Sequence, residues 1–232
     1  MLRVGLIIPS SNTTMEKEFC TALQGIATVH SGRIKLVNVE SRELTFLEKG
    51  VYEEAEKLST AEVDVIVYGC TSGSFIRGHQ QYAAIEEEVE KSFGIPCVAT
   101  AGAVIRALNH LKSRKIALIT PYTHDITEIE RNYLSAHGFE TISTYHASIK
   151  ENTSIGRIKD EEVFDWAVKH SVKNAEAVFI SCTNLSTFKV LGKIEQTLNI
   201  PTVSSNSATL WNVLQRLGLK LHDKSLGQLF AK

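Results

Sequence analysis

Proline is scarce: four residues in 232, each at the edge of an apolar run and none within a long helical pattern. No Pro/Gly/Ser-rich or low-complexity stretch follows from such a composition, so a flexible linker between independent modules is excluded. Cysteine is equally sparse. Cys20, Cys70, Cys97 and Cys182 stand far apart, with no CxxC and no His/Cys cluster at zinc-ligand spacing, which argues against a disulfide scaffold and against a metal centre. Charge of either sign is not in excess. The 25 basic and 26 acidic residues leave a net charge of −1, and without a basic stripe no nucleic-acid partner is expected. Long hydrophobic runs are missing too: mostly apolar segments such as Val63–Tyr68 are far too short to span a bilayer. The opening Met1–Pro9 runs into Pro9-Ser10-Ser11-Asn12 without a small-residue cleavage site. It does not read as a signal peptide, so a cytoplasmic location with reduced thiols is expected.

What remains is an ordinary globular composition, 43% hydrophobic and 22% charged, long enough for one large domain or two small ones. Short β-rich runs alternate with helical patterns, as in parallel sheets with crossover helices. Strands are expected over residues 3–9, 34–39, 63–68, 96–100, 115–120, 139–145, 177–181 and 201–205. Thr13 with Glu16 and Asp125 with Glu128 have capping-box spacing, and Gly94 and Gly138 stand where helices end.

The pattern repeats. Arg3–Pro9 matches Lys115–Pro121, and Val65–Thr71 matches Ala177–Thr183, both at an offset of 112 residues; a later pair, Pro96 and Pro201, follows at 105. Both halves therefore follow one plan, an α/β architecture of two similar lobes.

In open parallel sheets ligands bind beyond the carboxyl ends of the strands. Here those positions hold residues 9–14, 69–74, 121–124, 181–186 and 204–207, all rich in hydroxyls, amides or thiols. A pseudo-twofold packing of the halves would set Cys70 against Cys182 across one cleft. A thiol at a helix N-terminus becomes a better thiolate, able to attack an electron-poor carbon or take a proton, while a facing thiol donates one. Neutral donors and helix N-termini suit a small carboxylate. Cys20 and Cys97, inside a helix and a strand, read as packing residues. His124 and His146 read as solvated, Glu86-Glu87-Glu88 as a solvated helix face, and Trp166 and Trp211 as core.

These motifs resemble the aspartate/glutamate racemase superfamily, and the maleate cis–trans isomerase branch in particular, over nearly the whole chain. Gly5–Glu16 is similar to the isomerase opening loop, with Ser11 and with Asn12 as a substrate-binding amide. Gly69-Cys70-Thr71-Ser72 is similar to the nucleophile segment. Thr120-Pro121-Tyr122 and Glu151–Arg157 resemble segments that supply a carboxylate-binding tyrosine and asparagine, here Tyr122 and Asn152. Ser181-Cys182-Thr183-Asn184 matches the second cysteine segment, and Ser204-Ser205-Asn206 the last substrate-side loop. The resemblance implies two flavodoxin-like lobes, each a parallel sheet flanked by helices and related by pseudo-twofold symmetry. They would comprise residues 1–98 plus 206–232 and residues 99–205, with the active site between. It implies no cofactor and no metal, a small carboxylate or dicarboxylate substrate, no membrane partner, and leaves room for a homodimer. Cys70 and Cys182 would be catalytic, with Asn12, Ser11, Thr71, Ser72, Tyr122, Asn152, Thr183 and Asn206 around the substrate. The expected reaction is conversion of a cis-enedioate such as maleate to its trans isomer through a cysteine thioether. A two-cysteine amino-acid racemase or epimerase is the alternative. The decarboxylase branch keeps only the second cysteine, so Cys70 counts against it.

Overall fold

The computed structural model describes residues 1–231. Eight strands form two four-stranded parallel sheets. The first contains β1 (Leu2–Pro9), β2 (Ala27–Ile34), β3 (Val65–Tyr68) and β4 (Cys97–Ala99) in the order β2-β1-β3-β4. The second contains β5 (Lys115–Thr120), β6 (Glu140–His146), β7 (Ala177–Ile180) and β8 (Thr202–Ser204) in the order β6-β5-β7-β8. One topology is thus used twice, as the duplicated sequence implies.

Inner strands β1, β3, β5 and β7 are almost wholly buried because helices cover both faces, which is why they read as continuous rather than alternating apolar runs. Alternate residues separate into two cores. Val4, Leu6, Ile8, Val65 and Val67 share one core with Ile116, Leu118 and Phe179 of the second sheet. That core is closed by α1 (Met15–Ala22), α4 (Thr100–His110) and α9 (Ser205–Arg216). The opposite faces pack under α2 (Ser41–Ser59), α3 (Gln81–Phe93), α7 (Asp160–His170) and α8 (Leu191–Leu198). Helix α4 lies against α9 and β8, while α9, which follows β8, also packs on β3 and β4. Gly102 of α4 faces α3 and leaves room there for Tyr82. A Cβ on Gly102 would strike the Tyr82 ring.

Three expectations change. Strand β2 lies at residues 27–34, not 34–39. Its polar sequence Thr28-Val29-His30-Ser31-Gly32-Arg33 is that of a sheet edge, and residues after Ile34 instead run across to the second half. There Val39 N–H donates to Lys150 O (2.8 Å) and Asn152 N–H to Val37 O (3.1 Å). The capping boxes at Thr13 and Asp125 are not formed. Asn12 Oδ1 caps α1 by accepting the Thr14 and Met15 amides (3.0 Å each), and α5 (His124–Ala136) begins after Thr123 without a side-chain cap. Glu86 is buried, not solvated: it accepts the Ala99 amide (2.8 Å) and pairs with Arg106. Gly94 and Gly138 do end their helices with positive φ, 68° and 82°. Trp166 and Trp211 pack at the rims of the cores, only partly buried.

Candidate active site

Cys70 and Cys182 each lie two residues past a strand end, after β3 and β7, the matching inner strands of the two sheets. The residue before each thiol is anchored alike: Gly69 N–H donates to Ile7 O and Ser181 N–H to Ile119 O, both at 2.8 Å. Gly69 is required where it stands, because a Cβ there would drive into Met15 and Ile8.

The two thiol turns are bonded to each other. Thr183 Oγ1 donates to Gly69 O (3.1 Å), and Thr71 Oγ1 donates to Ser205 Oγ (2.9 Å), which accepts the Cys182 amide (3.0 Å). The other sequence candidates join the same buried network. Asn12 Nδ2 donates to Thr183 Oγ1 (3.0 Å), leaving a second N–H on that amide unspent. Asn152 Nδ2 donates to Ser11 Oγ (2.8 Å), and Ser11 donates to Leu36 O (2.6 Å). Asn184 clamps the arrangement by donating to Asn152 O (2.7 Å) and accepting the Thr13 amide (2.9 Å). Asn206 turns away from this set: its Nδ2 donates to Glu18 Oε2 (2.6 Å) and Thr183 O (3.1 Å). Asn12, Thr71, Ser72, Tyr122, Asn152, Thr183 and Asn206 are all buried.

Donors converge on both sulfurs. Cys70 Sγ accepts Gly73 N–H (3.4 Å), and the Ser72 and Tyr68 hydroxyls lie against it. Cys182 Sγ accepts Asn184 N–H (3.4 Å) and faces the Tyr122 hydroxyl. Tyr122 is within electrostatic reach of both thiols. The acidified thiol expected from the sequence is not what this environment produces. Burial pushes Cys70 up to about 11 and Cys182 up to about 12, and the surrounding donors only partly offset it. Cys182 also carries strain, with φ at +106° in a region that favours glycine.

Cys97 is buried as expected, whereas Cys20 is exposed on α1 and packs nothing. His124 is exposed and meets His146 edge-on, ring centres 5.6 Å apart. A surface cavity of about 570 Å³ beside Tyr145, Trp166 and His170 contains neither thiol. Among the described residues no cluster of three or more His, Cys, Asp or Glu could hold a metal ion, and no helix is long and apolar enough to cross a membrane. Sequence reasoning missed Tyr68, Glu18 and Glu130. The tyrosine reads as an apolar strand residue, and a glutamate on an amphipathic helix reads as solvent-facing.

Residues 4–230 match the family model described as arylmalonate decarboxylase. The chain belongs to that family. A maleate isomerase from Geobacillus stearothermophilus is 29% identical over 243 residues, covering 99% of this chain and 97% of the relative. The arylmalonate decarboxylase of Bordetella bronchiseptica is 24% identical, covering 93% and 90%. The crystal structure of a maleate isomerase variant from Pseudomonas putida S16 with maleate superposes with a TM-score of 0.95 at 25% identity, covering 99% of this chain and 97% of that one. The similarity thus extends over nearly the whole chain, and the similar proteins include maleate isomerases.

Proposed function

We propose that this protein isomerises a small cis-enedioate such as maleate to the trans form, with Cys70 as nucleophile and Cys182 as proton carrier. The carrying observation is that two thiols in equivalent turns enter one buried, donor-lined centre, in a chain whose full-length relatives include maleate isomerases.

The Cys70 thiolate adds to one alkene carbon, and the π electrons move onto the neighbouring carbon and its carboxylate. Cys182 protonates that carbon, leaving a thioether with a single C–C bond that rotates. Cys182 then takes the proton back and the C–S bond breaks, releasing the trans product and restoring the Cys70 thiolate and the Cys182 thiol. Electrons and atoms balance without a redox partner. Covalent addition divides one prohibitive rotation into two accessible steps. The donors on Cys70 Sγ serve the thiolate that leaves and returns. The free N–H groups of Asn12 and Asn152 and the Tyr122 hydroxyl hold the carboxylates as charge builds. Ser11, Thr71, Ser72, Thr183 and Asn206 shape the turns that carry these groups.

The proposed lobes are residues 1–98 plus 206–232 and residues 99–205: α9 packs on β3 and β4 of the first, whereas the tail around Lys224–Gln228 lies against α8 of the second. Four unpaired thiols suit a reducing, cytoplasmic setting. A homodimer is part of the proposal, and sedimentation checks it.

The test is incubation with maleate, followed by NMR for fumarate and by intact-protein mass spectrometry on two variants. Cys182→Ser should accumulate an adduct of one substrate mass on the peptide containing Cys70, and Cys70→Ser should carry none. An adduct on Cys182 would reverse the roles. No fumarate and no adduct, with solvent deuterium entering an amino acid, would make the protein a racemase.

A further inference from the structure

Behind the Cys182 turn lies a carboxyl that the reaction above does not use. Glu130, on the second turn of α5, is 1% exposed. Its Oε1 lies 2.5 Å from Ser181 Oγ, and that hydroxyl is its one hydrogen-bond partner; Oε2 is buried with none. Among the described residues no cation is paired with it. The ionisable groups that face it are Cys182 from the turn after β7, Tyr122 from the turn after β5, and Tyr133 on its own helix, none of them positive. The Arg106–Glu86 pair lies beyond Tyr133, bonded to itself.

The residue at the matching offset of 112 is Glu18, also buried, and it makes a control within the same molecule. Glu18 receives three N–H donors: the Thr187 amide (2.7 Å), the Phe188 amide (2.9 Å) and Asn206 Nδ2 (2.6 Å). These donors favour the anion and oppose burial, which raises Glu18 to about 7. Glu130 has no N–H donor, and a hydroxyl can accept a proton as readily as give one. A buried charge with one free oxygen and no counter-ion is strongly disfavoured, so the carboxyl keeps its proton. Burial accordingly raises it to about 8, with the Ser181 hydroxyl acting in the opposite sense.

The location gives the proton a purpose. Ser181 immediately precedes Cys182, whose positive φ must be held by its surroundings. Resting on the two-thiol reading, we propose that Glu130 is a positioning residue that pins the Cys182 turn as a neutral carboxylic acid, and that its ionisation sets the upper pH limit of turnover. A neutral acid keeps the hydrogen bond that Ser181 Oγ donates without adding negative charge where a dianion binds and a thiolate forms. Once ionised, it opposes both.

Glu130→Gln imitates the neutral acid. With ionisation centred near 8, only about a tenth of the wild-type protein keeps this proton at about pH 9. The ratio of variant to wild-type kcat/KM for maleate should therefore rise about tenfold between about pH 6.5 and about pH 9. Ser181→Ala removes the interaction that favours ionisation, so the wild-type limb should move to higher pH; this variant serves if Glu130→Gln fails to fold. Infrared spectra in D2O provide a readout that needs no substrate. A protonated-carboxyl band present in wild type and missing from Glu130→Gln should fade as pH passes about 8. A constant activity ratio, or no such band at neutral pH, overturns the proposal. If maleate is not a substrate but the band behaves as stated, the isomerase reading fails and the neutral Glu130 stands.

Discussion

Glu18 and Glu130 stand 112 residues apart, the spacing that relates Cys70 to Cys182, and both carboxyls are buried at the back of thiol turns. One reaches across the duplication and the other stays within its own half. Glu18 leaves α1 to accept the amides of Thr187 and Phe188, just past the opposite thiol turn, and holds Asn206 at the start of α9. Glu130 bonds only Ser181, the neighbour of Cys182 in the same sheet. Duplication supplied equivalent positions, and different neighbours gave them different chemistry.

Glu18→Gln should destabilise the protein markedly. An amide group would face an N–H donor that now meets a carboxylate oxygen, leaving buried donors unpaired at about 1–3 kcal/mol each. A fall in the urea midpoint at unchanged slope is expected. A midpoint equal to wild type would remove Glu18 as a tie between the halves.

Stability should decline as pH rises from about 4.5 to about 8. Burial raises Glu18 to about 7 and Glu130 to about 8 from an ordinary 4.5. In that window the unfolded chain has released protons that the folded chain retains, so the slope of stability against pH is negative. The contribution is complete below about 4.5 and lost as pH passes each folded value. Melting temperature should fall across this range, and Glu130→Gln should flatten the upper part. A wild-type curve that climbs from about pH 5 to about pH 8 would contradict both assignments.

Gly73→Ala should abolish turnover in a folded protein. The new Cβ would lie 2.9 Å from Cys70 Sγ and closer still to the Tyr68 hydroxyl. Both groups are buried and have little room to yield, so the nucleophile must move, and small misplacements of reacting atoms cost about 100-fold in rate. Activity within about tenfold of wild type would mean that the Cys70 turn is pliable.

Thiol labelling should separate the four cysteines by burial. Iodoacetamide should modify Cys20 first, since it alone is exposed, and leave Cys97 untouched until the chain unfolds. Cys70 and Cys182 should react slowly, because burial holds both as thiols near neutral pH. Rapid labelling of Cys97 would show that β4 opens in the native state.

The sheet strands, the duplication and the two thiols were legible in the chain because each leaves a local trace. Helix-covered strands must be apolar on both faces, and a repeated strand-turn-helix unit repeats its punctuation, as Pro9 and Pro121 do. β2 left no such trace: an edge strand tolerates polar residues, and nothing nearby distinguishes residues 27–34 from a loop. The state of the thiols was not legible either. A cysteine before a helical turn reads as acidified, yet its protonation follows from how much water and charge surround the sulfur, and here enclosure by both halves outweighs the N–H donors. The same holds for Glu18 and Glu130, which look like solvent-facing residues of amphipathic helices until the other elements close over them. Residue types and spacing depend on neighbours within a few positions. The protonation of the buried groups and the pairing of Thr71 with Ser205 depend on groups distant in the chain, brought together only when it folds.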